Sequence, residues 1–189
     1  MAPEEARLEG QRLVLRPPRL ADYDQWARLR ALSRDFLQPW EPTWAADELT
    51  PAAWRQRMRG YWRDMRNDAA YPLFLMHRDS GELLGGLTLS DVRRGAAQAA
   101  TLGYWIGMPH AGRGYMSEAV RLALAHAFGA LALHRVEAAC IPDNAPSRRL
   151  LRSCGFSQEG LARRYLKING QWRDHLLFAI TAEDFPPAA

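Results

Sequence analysis

With 189 residues, 48% of them hydrophobic, the chain can bury the core of one domain of ordinary size and little more, so a single domain over residues 1–189 is expected. Met1 to Arg7, with Glu4 and Glu5, lacks the basic cap and apolar stretch of a signal peptide, and no run of about 18 apolar residues could cross a bilayer, which points to a cytoplasmic protein. Lys and Arg exceed Asp and Glu by 25 to 21 with lysine nearly absent, and Cys140 and Cys154 show neither CxxC nor Cys/His ligand spacing, so arginine-mediated contact with phosphate or carboxylate fits the composition while a disulfide or metal does not.

Leu13-Val14-Leu15 reads as a short strand that Pro17-Pro18 ends, and Tyr23, Trp26, Leu29 and Leu32 recur at helical spacing over Leu20 to Leu32. In Phe36 to Trp44 two prolines argue against regular structure, and two indoles stand in what reads as a loop. Thr50-Pro51 then has the N-cap and first-position signature of a helix running to about Asn67. Leu73 to Met76 and Leu83 to Leu89 form a hairpin about Asp79-Ser80-Gly81, and Ala99 to Ile106 supplies the next strand after a turn at Gly95. Met116, Val120, Ala123/Leu124 and Ala127 repeat at three- and four-residue steps, so Tyr115 to Leu131 is an amphipathic helix. Arg135 to Ile141 reads as a strand, Ala145 to Ser153 as a helix ended by Gly155, and the rest as a hairpin turning at Asn169-Gly170. This order predicts an α/β (α+β) protein whose mixed sheet carries helices on both faces.

The chemistry is expected where the Ala99–Ile106 strand meets the long helix. Met108 to Glu118 places Gly112 and Gly114 directly before that helix, so the backbone can come close to a ligand and aim several N–H groups and the positive helix end at one point. A pyrophosphate suits that point. No Lys-Ser/Thr follows, which argues against an NTP-hydrolysing P-loop. A dinucleotide fingerprint also fails: Glu137 stands about 20 residues on, but Met108 to Ala111 separate the glycines from the strand end. A plain helix cap is the remaining alternative, since two glycines alone are a weak signal.

With its flanks, the loop resembles the cofactor motif of the GNAT acetyltransferase superfamily, Q/R-x-x-G-x-G/A, here Pro109-His110-Ala111-Gly112-Arg113-Gly114 with proline at the first position. A second element of resemblance is Pro142-Asp143-Asn144-Ala145-Pro146-Ser147-Arg148-Arg149-Leu150-Leu151 followed by Cys154-Gly155-Phe156. Within the superfamily the chain resembles the RimJ-type ribosomal-protein alanine N-acetyltransferases over roughly residues 10 to 185. That likeness rests on Phe36 to Pro42, Arg94-Gly95, Leu102-Gly103-Tyr104, Glu118-Ala119, His134-Arg135, Asn144 with Ser147, and most distinctively Tyr165 to His175. The resemblance implies a mostly antiparallel sheet of about seven strands with a splayed central pair, and acetyl-CoA as co-substrate. The cofactor would be held by Tyr104, Trp105, Ile106 and Gly107 on the strand, by Gly112, Arg113, Gly114, Tyr115, Met116 and Ser117 in the loop and first turn, and by Asn144 and Ser147. Related RimL-type enzymes carry a glutamate before the hairpin turn as proposed base, where this chain has Leu166, so that base does not transfer.

Moving acetyl from a thioester to an amine needs a neutral amine, a polarised carbonyl and a proton for the departing thiolate, without a covalent enzyme intermediate. The resemblance places the Ser147 hydroxyl beside the cofactor sulfur as that proton donor. As a residue it suits helix capping equally well, and Asn144, expected to fix pantetheine by its amide, also suits a turn. Glu41, between Trp40 and Pro42, is the candidate for binding or deprotonating the amine, because partial burial in the loop would make it a better base. Trp40 and Trp44 would contact the acceptor. Asp174, grouped with the acceptor-binding residues, and His175 are alternative bases, against the reading of a strand-end acid tied to Arg173. Glu118 suits the positive end of the long helix, a backbone N–H within Tyr104 to Gly107 is the natural oxyanion donor, and Cys154 has no histidine near it in sequence to activate it. The expected partner is a protein N-terminus, such as alanine of a small-subunit ribosomal protein, approached by a monomer or homodimer. A small amine acceptor and a non-catalytic acyl-CoA-binding or ribosome-assembly role are the competing readings.

Overall fold

Residues 7–185 are described in this computed structural model, so the acidic start of the chain, Met1 to Ala6, lies outside the described residues. The first element is a two-residue strand, β1 (Leu8–Glu9), too short for any periodicity to signal, paired with β2 (Leu13–Arg16). Helix α1 (Tyr23–Leu32) begins three residues later than its spacing suggested, because Leu20–Asp22 closes as a 3-10 turn. The Asp22 carboxylate anchors that turn, accepting from the Arg19 amide at 2.7 Å and from both Arg16 guanidinium ends at 2.8 and 2.7 Å.

The expected irregular stretch after α1 is instead regular in part. Helix α2 (Arg34–Leu37) runs into a 3-10 turn over Gln38–Trp40. Pro39 sits in the first turn, where its missing N–H leaves no hydrogen bond unmade, so the proline that argued against a helix is tolerated. Helix α3 (Pro51–Arg66) follows the sequence signal closely, with Thr50 Oγ1 accepting from the Ala53 amide at 3.2 Å.

The remaining elements are β3 (Tyr71–His77), β4 (Leu83–Arg93), β5 (Ala99–Ile106), α4 (Tyr115–Phe128), β6 (Arg135–Cys140), α5 (Ala145–Ser153), β7 (Ser157–Ile168) and β8 (Gln171–Thr181). They form one eight-stranded sheet in the order β1-β2-β3-β4-β5-β6-β8-β7, with β1 the strand beyond the seven expected. Every neighbouring pair is antiparallel except β5 with β6, whose parallel pairing requires a crossover, supplied by α4. That helix stops at Phe128 rather than Leu131, where the chain turns at Gly129.

Period-two alternation sends neighbouring side chains of one strand into two different cores. Leu73 and Leu75 of β3 face α4, whose Ala119, Val120, Ala123, Leu124 and Ala127 are all fully buried against Leu13, Leu15, Leu87 and Leu89. Phe74 and Met76 face the other way, onto Trp26 of α1 and Trp54 and Met58 of α3. One sheet therefore serves two helical layers, as the element order implied.

The sheet opens in its middle. β5 and β6 pair only from Ala99–Arg135 to Thr101–Glu137, although β5 continues to Ile106 and β6 to Cys140. β4 keeps hold of β5 to its end and β8 keeps hold of β6, so each strand is drawn toward its outer partner and a wedge opens between them.

Candidate active site

Both loop glycines adopt left-handed backbone, φ 73° at Gly112 and 79° at Gly114, a region that side chains with a Cβ enter at a cost. A Cβ on Gly112 would meet nothing within 4 Å, so the conformation, and not crowding within the chain, is what calls for glycine there. Gly114 is the N-cap of α4 and offers no side-chain hydrogen bond, which leaves the first-turn amides of Tyr115, Met116 and Ser117 without a capping group. Glu118, three residues into the helix, turns back. Its carboxylate accepts from the Arg12 amide at 2.8 Å, the Leu13 amide at 3.2 Å and Arg12 Nε at 2.9 Å. Burial works against its charge, yet the Arg12 and Leu13 donors outweigh burial and hold the carboxyl below its ordinary range. Arg12 further donates from Nη1 to the Arg113 carbonyl at 3.0 Å and lies over the Tyr115 ring at 4.7 Å, so the residue just before β2 fixes the loop. The uncapped amides, the positive helix end and the open space over the glycines fit the pyrophosphate of a CoA-type ligand.

The end of β5 is locked equally firmly. Gly107 lies against Leu29 of α1 so closely that a Cβ would fall 2.4 Å from Leu29 Cδ1, and the Met108 amide donates to the buried Ser33 Oγ at 2.9 Å. The Gly107 amide donates to the Leu84 carbonyl of β4 at 2.8 Å, whereas the Gln98 carbonyl accepts from Arg135 of β6 at 3.1 Å. Alternation along the strand then turns the backbone groups of Trp105 and Gly107 toward β4, and those of Tyr104 and Ile106 toward the wedge, where no strand meets them. Of Tyr104 to Gly107, singled out from sequence, Tyr104 and Ile106 thus offer a ligand amides that no strand takes among the described residues.

Across the wedge stands the start of α5, which carries Asn144 and Ser147. The Asn144 side-chain oxygen accepts from the Ser147 amide at 3.1 Å, so Asn144 is the helix cap. The Ser147 hydroxyl does no capping and stands 2.7 Å from the Tyr104 hydroxyl. Burial pushes the Tyr104 phenol well above its ordinary value, against the opposing pull of the Ser147 hydrogen bond. Cys140 ends β6 close by; burial raises its thiol, and Cys154 is likewise buried, free and shifted up by burial, which makes both poor nucleophiles.

The tryptophan segment closes the site from the other side. Glu41 is partly buried, as expected, but both of its oxygens are taken: Arg30 of α1 donates to them at 2.7 and 2.7 Å, and Trp44 Nε1 adds a third donor at 2.7 Å. The buried Arg30 guanidinium lies between two indoles, 4.2 Å from the Trp44 ring and 5.0 Å from that of Trp105 on β5. Trp44 is therefore an interior residue, while Trp40 remains exposed. The Glu41 carbonyl accepts from the Asn169 amide at 2.9 Å, which docks the β7–β8 turn on this segment and joins two regions about 130 residues apart in sequence. A few residues from that turn β7 bulges opposite β8, where the Arg164 amide, at φ 48°, donates to Asp174 at 2.8 Å beside an open hollow of 590 Å³ lined by Arg163, Arg164 and Asp174. His175 is buried, donating from Nδ1 to the Arg173 carbonyl at 3.0 Å, with its ring against Tyr165. Arg173 pairs with Asp143 at 3.2 Å rather than with Asp174.

Three side chains that organise this site went unnoticed in the sequence: Arg12, Arg30 and the phenol of Tyr104. Each acts on a residue more than ten positions away, so no local spacing announces it. Among the described residues no group of three His, Cys, Asp or Glu could hold a metal ion, and no helix is long and apolar enough to cross a membrane.

Residues 12–157 match the model of the acetyltransferase (GNAT) domain family. The chain is 38% identical over 183 residues, 96% of its length and 93% of the relative's, to the [ribosomal protein uS5]-alanine N-acetyltransferase of Escherichia coli. It is 37% identical over 177 residues, 94% of its length and 98% of the relative's, to the "Probable N-acetyltransferase YjcK" of Bacillus subtilis. In three dimensions it is similar to Mycobacterium smegmatis RimJ in complex with CoA-disulfide, with a TM-score of 0.88 at 38% identity over 93% of this chain and 85% of that one. The glycine loop before α4, the wedge between β5 and β6 and the extent of these matches together establish that the chain belongs to the GNAT acetyltransferase family.

Proposed function

We propose that the protein transfers acetyl from acetyl-CoA to the α-amine of a protein N-terminus, with alanine-initiated chains of ribosomal proteins as the acceptor class. The observation that carries this reading is the alignment along one path of the uncapped α4 amides, the unpaired Tyr104 and Ile106 edge of β5, and the Ser147 hydroxyl. Acetyl-CoA supplies a thioester already activated for attack, so the protein has to bind, orient and stabilise. The loop amides of Tyr115 to Ser117 hold the pyrophosphate, and the wedge-facing amides of β5 hold the pantetheine and take the negative charge that develops on the acetyl oxygen. Ser147 donates its hydrogen to the sulfur as the C–S electron pair settles there, and the proton that the attacking nitrogen releases returns through water to the serine.

The acceptor lies between the exposed Trp40 and the β7–β8 hairpin. Glu41, bound on both oxygens by Arg30 and Trp44, shapes that segment rather than removing a proton, and Asp174, which keeps one oxygen beyond its bond from the Arg164 amide, is the acidic group on the hairpin that attracts the amine. A weak base suffices for an α-amine. Its pKa near 8 against 10.4 for lysine makes its neutral fraction at pH 7 more than about a hundredfold larger before the enzyme contributes anything. The two named relatives leave the acceptor open, since one acts on alanine of uS5 and the other bears no substrate in its name.

Incubation with acetyl-CoA and a panel of peptides and small amines, read by mass spectrometry, tests the proposal. On an alanine-initiated peptide with one internal lysine, the acetyl group should appear on the terminus. Acetyl mainly on the lysine, or an aminoglycoside with a much higher kcat/KM, would replace the protein acceptor with a small amine.

A further inference from the structure

A hydroxyl has one hydrogen, and either oxygen could donate in the 2.7 Å contact between Tyr104 and Ser147, so its direction follows from the role given to the serine. If the Ser147 hydrogen goes to the departing sulfur, its oxygen is left as an acceptor toward Tyr104, and the phenol must be the donor. Tyr104 is fitted to give that hydrogen and keep it. Its hydroxyl makes no other hydrogen bond among the described residues, and burial, the largest influence, disfavours the phenolate despite the Ser147 bond. Ser147 by itself has other places to turn its hydrogen, the neighbouring Cys140 sulfur among them. A serine in the first turn of a helix can rotate to bond a backbone carbonyl of the preceding residues, and the Asn144 cap fixes the Ser147 amide but not its hydroxyl.

The contact also has the right place in the fold. Tyr104 projects from β5 three residues after the last β5–β6 pair, and Ser147 begins the helix that follows β6, so the bond spans the wedge between two strands that no longer touch. We propose that Tyr104 is a positioning residue of the transfer reaction: by donating to Ser147 Oγ across the wedge, it holds the serine hydrogen on the sulfur of the bound thioester. The inference rests on the reading of Ser147 as donor to the thiolate. The Tyr104 phenol, unlike the backbone amide of the same residue, touches neither the acetyl group nor the sulfur and ends the reaction with its own hydrogen.

A double-mutant cycle over Tyr104→Phe and Ser147→Ala tests it, using acetyl-CoA and whichever acceptor of the panel turns over fastest. The phenylalanine keeps the ring and removes one oxygen, and an unchanged circular dichroism melt verifies that it folds. Tyr104→Phe alone should lower kcat by about tenfold while acetyl-CoA affinity by calorimetry stays within about twofold; Ser147→Ala should lower kcat by about 10- to 1,000-fold, since water can substitute in part. In the Ser147→Ala background, Tyr104→Phe should cost nothing further, because its only route to the reaction is gone. Equal losses from Tyr104→Phe in both backgrounds, or a loss confined to acetyl-CoA affinity, would overturn the positioning role while leaving Ser147 as donor. Full activity of Ser147→Ala would remove both.

Discussion

At the scale of single residues, the site depends on backbone conformations that only a few residue types tolerate. Gly114 combines φ 79° with the N-cap of α4, and an added Cβ would also come within 3.4 Å of Arg12 Nη2, the side chain that fixes the loop. A β-branched residue is strained there by about 1–3 kcal/mol, and relief of that strain would turn the loop amides away from their common focus. Gly114→Val should therefore weaken acetyl-CoA binding by well over tenfold by calorimetry; unchanged affinity in a folded variant would remove the loop from the site. The need for glycine here was legible in the sequence, because the pattern before an amphipathic helix has a local cause. The roles of Asn144 and Ser147 were not. Asn144 suited a turn and Ser147 a cap, whereas the structure puts the capping bond on Asn144 and the Tyr104 phenol beside the serine hydroxyl.

At the scale of elements, α4 is held to β2 through the Glu118 carboxylate and its three donors from Arg12 and Leu13. Its pKa in the folded protein lies below the ordinary 4.5, so the stabilisation is fully present above that ordinary value and is lost as the pH falls through the lowered one. Glu118→Gln should lower stability at neutral pH by on the order of 1 kcal/mol, a drop of about 2–4 °C in Tm for a chain of this length. The difference should shrink on acidification and vanish once Glu118 is protonated in both states. A gap that persists undiminished in acid would assign the effect to packing rather than charge. The sequence placed Glu118 at the positive helix end, where the macrodipole favours it. That it bonds the amides of Arg12 and Leu13 instead of the helix's own first turn follows from the place of β2 beside β3 in the sheet, which brings these residues to a helix more than a hundred positions away in sequence.

At the scale of the molecule, two helical layers share one sheet, and β3 alone contributes Leu73 and Leu75 to one core and Phe74 and Met76 to the other. Neither layer can lose its packing without exposing the strands that the other requires, so a single domain is the reading we propose for the chain. Calorimetry should show one unfolding transition that shifts upward by several degrees with acetyl-CoA at about 100 times its Kd, equivalent to about 2.7 kcal/mol. Two resolved transitions would instead divide the chain.

The sequence by itself determined the order and type of nearly every element, the two faces of the sheet and the glycine loop before the long helix, because period-two and helical spacing, caps and glycine turns act within a few residues of one another. It misjudged the Gln38–Trp40 turn, where Pro39 occupies the one part of a helical turn that tolerates it, and it could not show β1. Tertiary structure alone decided which groups are free to act. Arg30 reaches Glu41 and Trp44 from α1 and binds both oxygens of the carboxylate that sequence had offered as a base. The wedge frees the amides of Tyr104 and Ile106 while β4 consumes that of Gly107. Whether a polar group is available is a question of what already bonds to it, and its partners here come from other strands and helices of the fold.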